Sequence, residues 1–253
     1  MRHLIKLTGL PATLLLFTLL LPGIHPVLAQ KTFSFFAIGD MPYHNPEDTA
    51  KFKELTDAIN AEKPLFTVHV GDIKSGSSEC SDAYFDMMFR LLNRFKQPLI
   101  YTPGDNEWTD CGRPGGGGFD PEERLAAIRK RFFANGQSLG QHPIRLNSQH
   151  MTAGFEEFVE NRMWHHQRIT FATLHVVGTN NNYNANRVDN AEFFKREKAD
   201  LDWLTQIFQT AGGRDDAAIV IFMHAAMLFE RTETSGFNSI VDKLREEVRT
   251  FGK

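Results

Sequence analysis

The 253-residue sequence predicts an α/β domain of parallel strands covered by helices, and three observations carry that expectation. Three apolar, β-branched runs each stop abruptly at Gly-Asp: Phe33–Ile38 at Gly39-Asp40, Leu65–Val70 at Gly71-Asp72, and Pro98–Pro103 at Gly104-Asp105. A helical apolar pattern follows each run, and such alternation implies parallel strands joined by right-handed crossovers. A fourth run, Ala217–Met223, stops at His224.

Taken in order, the first strand ends where Gly39 lets the backbone turn sharply. Phe52, Leu55 and Ile59 then mark one face of a helix. After the second strand, Tyr84, Met87, Met88, Leu91, Leu92 and Phe95 mark the second helix, and after the third strand Leu125, Ile128 and Phe132 mark another. Gly115–Gly118 lies outside any strand-to-helix Gly-x-Gly-x-x-Gly context and reads as a mobile loop near the mouth of a site. The middle changes character. Gly154–Glu160, Asn161-Arg162 and Arg168–Val177 read as a hairpin region leading into a long strand, hence a second sheet. Helices from about Ala191 to Phe208 and from about Ser239 to Phe251 complete the pattern.

Composition bounds the partners. Residues 1–29 carry Arg2 and Lys6, an apolar core from Leu10 to Leu21 and a small Ala29 before Gln30, the pattern of a secretory signal peptide too short to span a membrane. Residues 30–253 then suffice for one domain without a further membrane span. Lys and Arg number 28 against 31 Asp and Glu, with no basic run, which argues against a nucleic-acid partner. An exported protein of this kind is periplasmic or secreted. Its two cysteines, Cys80 and Cys111, fall in the loops after the second and third Gly-Asp strands and read as a disulfide.

Aspartates delivered together to one sheet rim make a hard, oxygen-rich pocket that needs divalent cations to offset their repulsion. Asp40, Asp72 and Asp105 are therefore candidate metal ligands, and His224 joins them from the fourth strand. Lys74 and the amides of Asn180 and Asn181 are candidates for gripping substrate oxygens. Trp108 reads either as a stacking platform or as a lid over the core. His69 and His175, inside strands, read as structural.

These blocks resemble the calcineurin-like metallophosphoesterases, whose signature runs Asp-x-His, Gly-Asp, Gly-Asn-His-Glu/Asp, His and Gly-His-x-His. The likeness spans residues 33–253 and implies a two-sheet sandwich flanked by helices, a four-layer fold. It also implies hydrolysis of a small phosphoester by a metal-activated hydroxide held between two divalent ions, with Mn, Fe and Zn all suited to the ligands. Asp72 matches the bridging carboxylate, Asp40 the first metal's ligand and His224 the second's. The departures matter. The first block reads Asp40-Met41-Pro42, so only Tyr43 or His44 lies close enough to replace its His. An ungapped third block puts Asp105 on the ligand Asn and Asn106 on the catalytic His, whereas a shift by one makes Asn106 the ligand. Asn106 or Glu107 would face the phosphate, with leaving-group assistance from His44, Glu107 or the metal, and Tyr43 offers a phosphate-side hydroxyl. The fifth block is absent, and Lys253 falls where another strand is due. The chain is thus expected to be an incomplete or degenerate version of the domain, holding at most one metal tightly. The alternative function is a secreted binding or scaffold protein that kept the fold and lost the chemistry.

Overall fold

The strand runs sort into two sheets. In the computed structural model, which describes residues 32–43, 45–230 and 235–253, β1 (Phe36–Ile38), β2 (Thr67–His69) and β3 (Leu99–Tyr101) form a parallel sheet in that order. Ile38 pairs with His69 and His69 with Tyr101, so the three Gly-Asp turns leave side by side from one rim. The expected leader at 1–29 and His44 lie outside the described residues.

The second sheet runs β4 (Asn147–Ser148), β5 (Arg162–His166), β6 (Ile169–Thr173) and β7 (Ala218–Phe222). Its first two pairings are antiparallel and the last is parallel. The run ending in His224 therefore belongs to this sheet, beside β6. The hairpin lies further along than the sequence suggests. Gly154–Phe158 forms turns, the hairpin closes around Gln167 at φ 53°, and the β6 ladder ends at Thr173 instead of Val177.

The first three helices start where a side chain caps their free backbone donors. Pro46 opens α1 (Pro46–Glu62), and the Asn45 side chain accepts from Asp48 N at 2.7 Å. Ser81 caps α2 (Asp82–Leu92), while Asp120 caps α3 (Pro121–Phe132), again with proline at the first position. Two further helices, Ala191–Gly213 and Asn238–Phe251, cover the second sheet.

Strand alternation divides the core into three layers of side chains. Tyr101 packs with Phe52, Phe85, Met88 and Phe132 on the α1–α3 side. Val68 and Ile100 point the other way, meeting Trp164, Phe171 and Phe222 between the sheets. Met163, Ala172, Trp203, Leu204 and Ile240 fill the space under the last two helices. The result is the two-sheet sandwich flanked by helices, four layers in all.

A Cys80–Cys111 disulfide, Cα–Cα 5.7 Å, ties the loop after β2 to the loop after β3. Gly116 is buried and its carbonyl accepts from Cys80 N at 3.0 Å, so the glycine run expected to be mobile is pinned at its middle. Trp108 is a core residue rather than a platform, fully buried with the Arg196 guanidinium 5.4 Å from its ring. Thiol titration of the denatured, unreduced protein is expected to find no free thiol, and replacing both cysteines by serine is expected to lower stability by about 2–4 kcal/mol. Two titratable thiols would contradict this.

Candidate metal centre

Three strand ends from two sheets deliver the site. The chain leaves β2 through Gly71, at φ 96°, and Asp72, at φ 55°. The turn after β3 comes so close that a Cβ on Gly104 would lie 2.2 Å from Asp72 Oδ1. Glycine is needed there because the Asp72 carboxylate occupies the space a side chain would take. From the second sheet, His224 reaches across to donate Nδ1–H to the Val70 carbonyl at 2.9 Å. That bond fixes the ring's orientation and turns Nε2 toward Asp105 Oδ1 at 3.2 Å and Asp72 Oδ1 at 3.6 Å. One donor atom from each of Asp72, Asp105 and His224 lies within 4.8 Å of the others.

The electrostatics are those of a centre short of positive charge. Burial, then the Glu107 charge, pushes the Asp72 carboxyl far above the usual carboxylate range, with His224 partly offsetting them. Burial also works against ionised Asp105, but hydrogen bonds from His224 and Thr179 hold it below that range. His224 is raised although burial opposes its charge, because Asp105, Asp72 and Glu107 surround it. The group thus holds protons as one coupled unit. Two buried carboxylates and an oriented imidazole form a donor set that fits a divalent cation of the Mn, Fe or Zn type, which would take over the role of the His224 proton.

The other sequence candidates separate into near and far. Asp40 sits beside the group, its backbone N–H donating to the Gly71 carbonyl at 3.0 Å. Its exposed carboxylate accepts from the Tyr43 hydroxyl at 3.3 Å and is not among the three converging donors. Burial, then Asp40 and Asp72, pushes the Tyr43 phenol up to about 12. Asn106 donates its backbone N–H to Asp72 Oδ1 at 3.1 Å, while its side-chain amide donates to the Lys74 carbonyl at 3.0 Å. Of the two alternatives in the third block, Asp105 is therefore the side chain that meets His224.

Four expectations are corrected by packing. Glu107 does not face a phosphate: it is fully buried beneath the rim, accepting from Asp72 N at 3.1 Å, Gly104 N at 2.8 Å and the Tyr101 hydroxyl at 2.7 Å. Lys74 is equally buried, its ammonium spent on the carbonyls of Ser75 at 2.7 Å and Asn106 at 2.8 Å. Asn180 and Asn181 grip the chain itself. Asn180 Oδ1 accepts from Gly236 N at 2.7 Å, and buried Asn181 bonds Arg196 and Gly236. The residue the sequence reading missed is Thr179, whose hydroxyl donates to Asp105 Oδ2 at 2.5 Å. Its only signal was a hydroxyl residue opening a run of asparagines. His69 and His175 are buried and structural, bonded to Met41 O and Glu160 at 2.8 Å each.

Residues 33–242 match the profile of a family described as calcineurin-like phosphoesterase. No curated protein matches the chain. Among solved structures it is similar to a dimetal phosphatase from Danio rerio, 12% identical with a TM-score of 0.46, over 85% of this chain and 77% of that one.

Proposed function

The chain belongs to the calcineurin-like phosphoesterase family, and from that premise we propose that it hydrolyses a small phosphoester at a centre of two divalent metal ions. The observation that carries this reading is the convergence of Asp72, Asp105 and His224, with donor atoms within 4.8 Å of one another. Asp72 would be the ligand shared by the two ions, Asp105 and His224 would hold one of them, and Asp40 would contribute to the other. Bound divalent ions supply Lewis acidity toward the phosphoryl oxygens and acidify the attacking water.

The chain's own groups do the rest. His224 keeps a proton on Nδ1 for Val70 and presents Nε2 to the centre. Glu107, by accepting from the amides of Asp72 and Gly104, makes two turns behave as one rigid rim. Tyr43 keeps its Oη proton at neutral pH, its phenol pushed up to about 12, and holds it against Asp40. Asn106 has no proton to give a departing alkoxide, since an amide lacks a usable pKa. The arrangement therefore favours substrates whose leaving group departs as an anion, such as aryl phosphates.

The same Asn106, engaged with Lys74, is what favours the second reading, a binding protein with the fold but weak chemistry. Elemental analysis together with aryl phosphate hydrolysis separates the two. Bound metal with turnover, one ion held tightly and the second more weakly, is the expected result, bound metal without turnover supports the binding reading, and absence of metal removes the centre altogether. We also propose export, supported by the composition of residues 1–29 and by a disulfide of the kind that persists in oxidising compartments. Among the described residues no helix is long and apolar enough to cross a membrane.

A further inference from the structure

Among the described residues, nine non-glycine positions take positive φ, and four of them are consecutive: Thr179, Asn180, Asn181 and Asn182, at 53°, 55°, 55° and 59°. A left-handed turn of this kind suits asparagine, whereas a β-branched residue resists it. Thr179 is the exception in its own turn. It is also exposed, so packing does not explain its presence.

What Thr179 does contact is Asp105. Its hydroxyl donates to Oδ2 at 2.5 Å, on the opposite carboxylate oxygen from the one facing His224 Nε2 at 3.2 Å. The turn is brought this near by Gly178, where a Cβ would lie 2.9 Å from Asp105 Oδ2. The turn is anchored from beneath by buried Arg196, which donates to the Asn181 carbonyl at 2.9 Å and to its side-chain oxygen at 2.5 Å. Glu192 accepts from Arg196 at 2.7 Å and from the Asn182 amide at 2.8 Å, closing the brace. A strained segment held this firmly points to a task at its tip.

We infer that Thr179 is a positioning residue for Asp105: its hydroxyl occupies Oδ2 and so presents Oδ1 as the single ligand oxygen beside His224. This rests on the metal-centre reading above. A carboxylate free to rotate shares its two oxygens indifferently, while one bonded on the far side has a fixed plane and a fixed donor.

The test is calorimetric titration of the full chain with Mn²⁺, comparing the parent with Thr179→Val and Thr179→Ser, alongside metal-free thermal melts. Valine keeps the shape and β-branching and removes the donor; serine keeps the donor. Loss of such an outer-shell partner is expected to weaken Mn²⁺ binding about 10–100-fold in the valine variant. The serine variant should bind like the parent and, relieved of β-branching at positive φ, melt no lower, while the metal-free valine variant should melt only slightly lower, having lost one hydrogen bond to Asp105. Parent-like binding by the valine variant overturns the inference and leaves the metal centre standing. A valine melt well below the parent's overturns it as well, because the hydroxyl would then be supporting the fold. Absence of binding by the parent itself, in the Mn²⁺ titration and in parallel Zn²⁺ and Fe²⁺ titrations, removes the metal-centre reading, and the inference falls with it.

Discussion

Asp72→Asn is expected to abolish metal retention and aryl phosphate hydrolysis while making the metal-free protein more stable above acidic pH. The first half follows from position. Asp72 Oδ1 is held by Asn106 N at 3.1 Å and faces His224, so it is the donor common to the turns after β2 and β3 and the end of β7. Losing the shared ligand should cost more than losing an outer-shell partner, and therefore more than about a hundredfold in affinity. The second half follows from linkage. Burial and then Glu107 raise the Asp72 carboxyl in the folded state from 3.8 to about 9. A raised carboxyl contributes stability that is fully present below the unfolded value and lost as pH rises through the folded one. Asparagine, neutral throughout, escapes that loss, so its advantage in metal-free melts should grow between pH 3.8 and about 9. Gain of stability with loss of function is the usual mark of a site shaped for chemistry rather than for folding. Wild-type metal content in the variant would show that Asp72 is not the bridge.

Gly71→Ala is expected to be the most damaging small substitution, lowering stability by about 3–5 kcal/mol or preventing folding. Two effects add. The residue sits at φ 96°, which alanine resists, and its new Cβ would lie 2.1 Å from Gly104 N and 2.6 Å from Gly104 Cα. Both are backbone atoms of the neighbouring turn, so neither can rotate away. Gly136 supplies the control. Its φ is 63° and a Cβ there meets nothing within 4 Å, so Gly136→Ala should cost only the backbone preference, about 1–2 kcal/mol. Equal denaturation midpoints for the two variants would rule out the contact argument.

The parts of this fold that were legible in the sequence are those written in a local code. An apolar run halted by Gly-Asp fixes strand, turn and rim at once, so β1–β3 and the convergence of Asp72 and Asp105 could be read directly. The helices after them were equally plain from spacing, and their caps Asn45, Ser81 and Asp120 agree with it. What could not be read was direction out of a turn. Lys74 and Glu107 stand next to motif residues with suitable charges, yet backbone carbonyls and amides claim them on the buried side. The difference between Asp105 and Asn106 is of the same kind: the Asn106 amide turns to the Lys74 carbonyl while Asp105 faces His224. The hairpin was misplaced because Phe155, Phe158 and Val159 give Gly154–Glu160 the apolar content of a strand, while the backbone there folds as successive turns. Thr179 was hidden for a different reason: its partner lies far away in sequence, and nothing local announces a strained turn.

The bond from His224 to the Val70 carbonyl joins residues 154 positions apart, and its consequence is one of timing. As the chain is synthesised, Asp72 and Asp105 emerge long before the imidazole that completes their group. Until the second sheet docks on the first, a captured ion has only carboxylates to hold it, and release is easy. On the proposed reading, tight capture would therefore come late, coupled to the closing of the sandwich, since a site that does not exist in the open chain lends its binding energy to the closed one. On the proposed reading, an ion would then be acquired from the surroundings in which the two sheets close, not from those in which the chain is made.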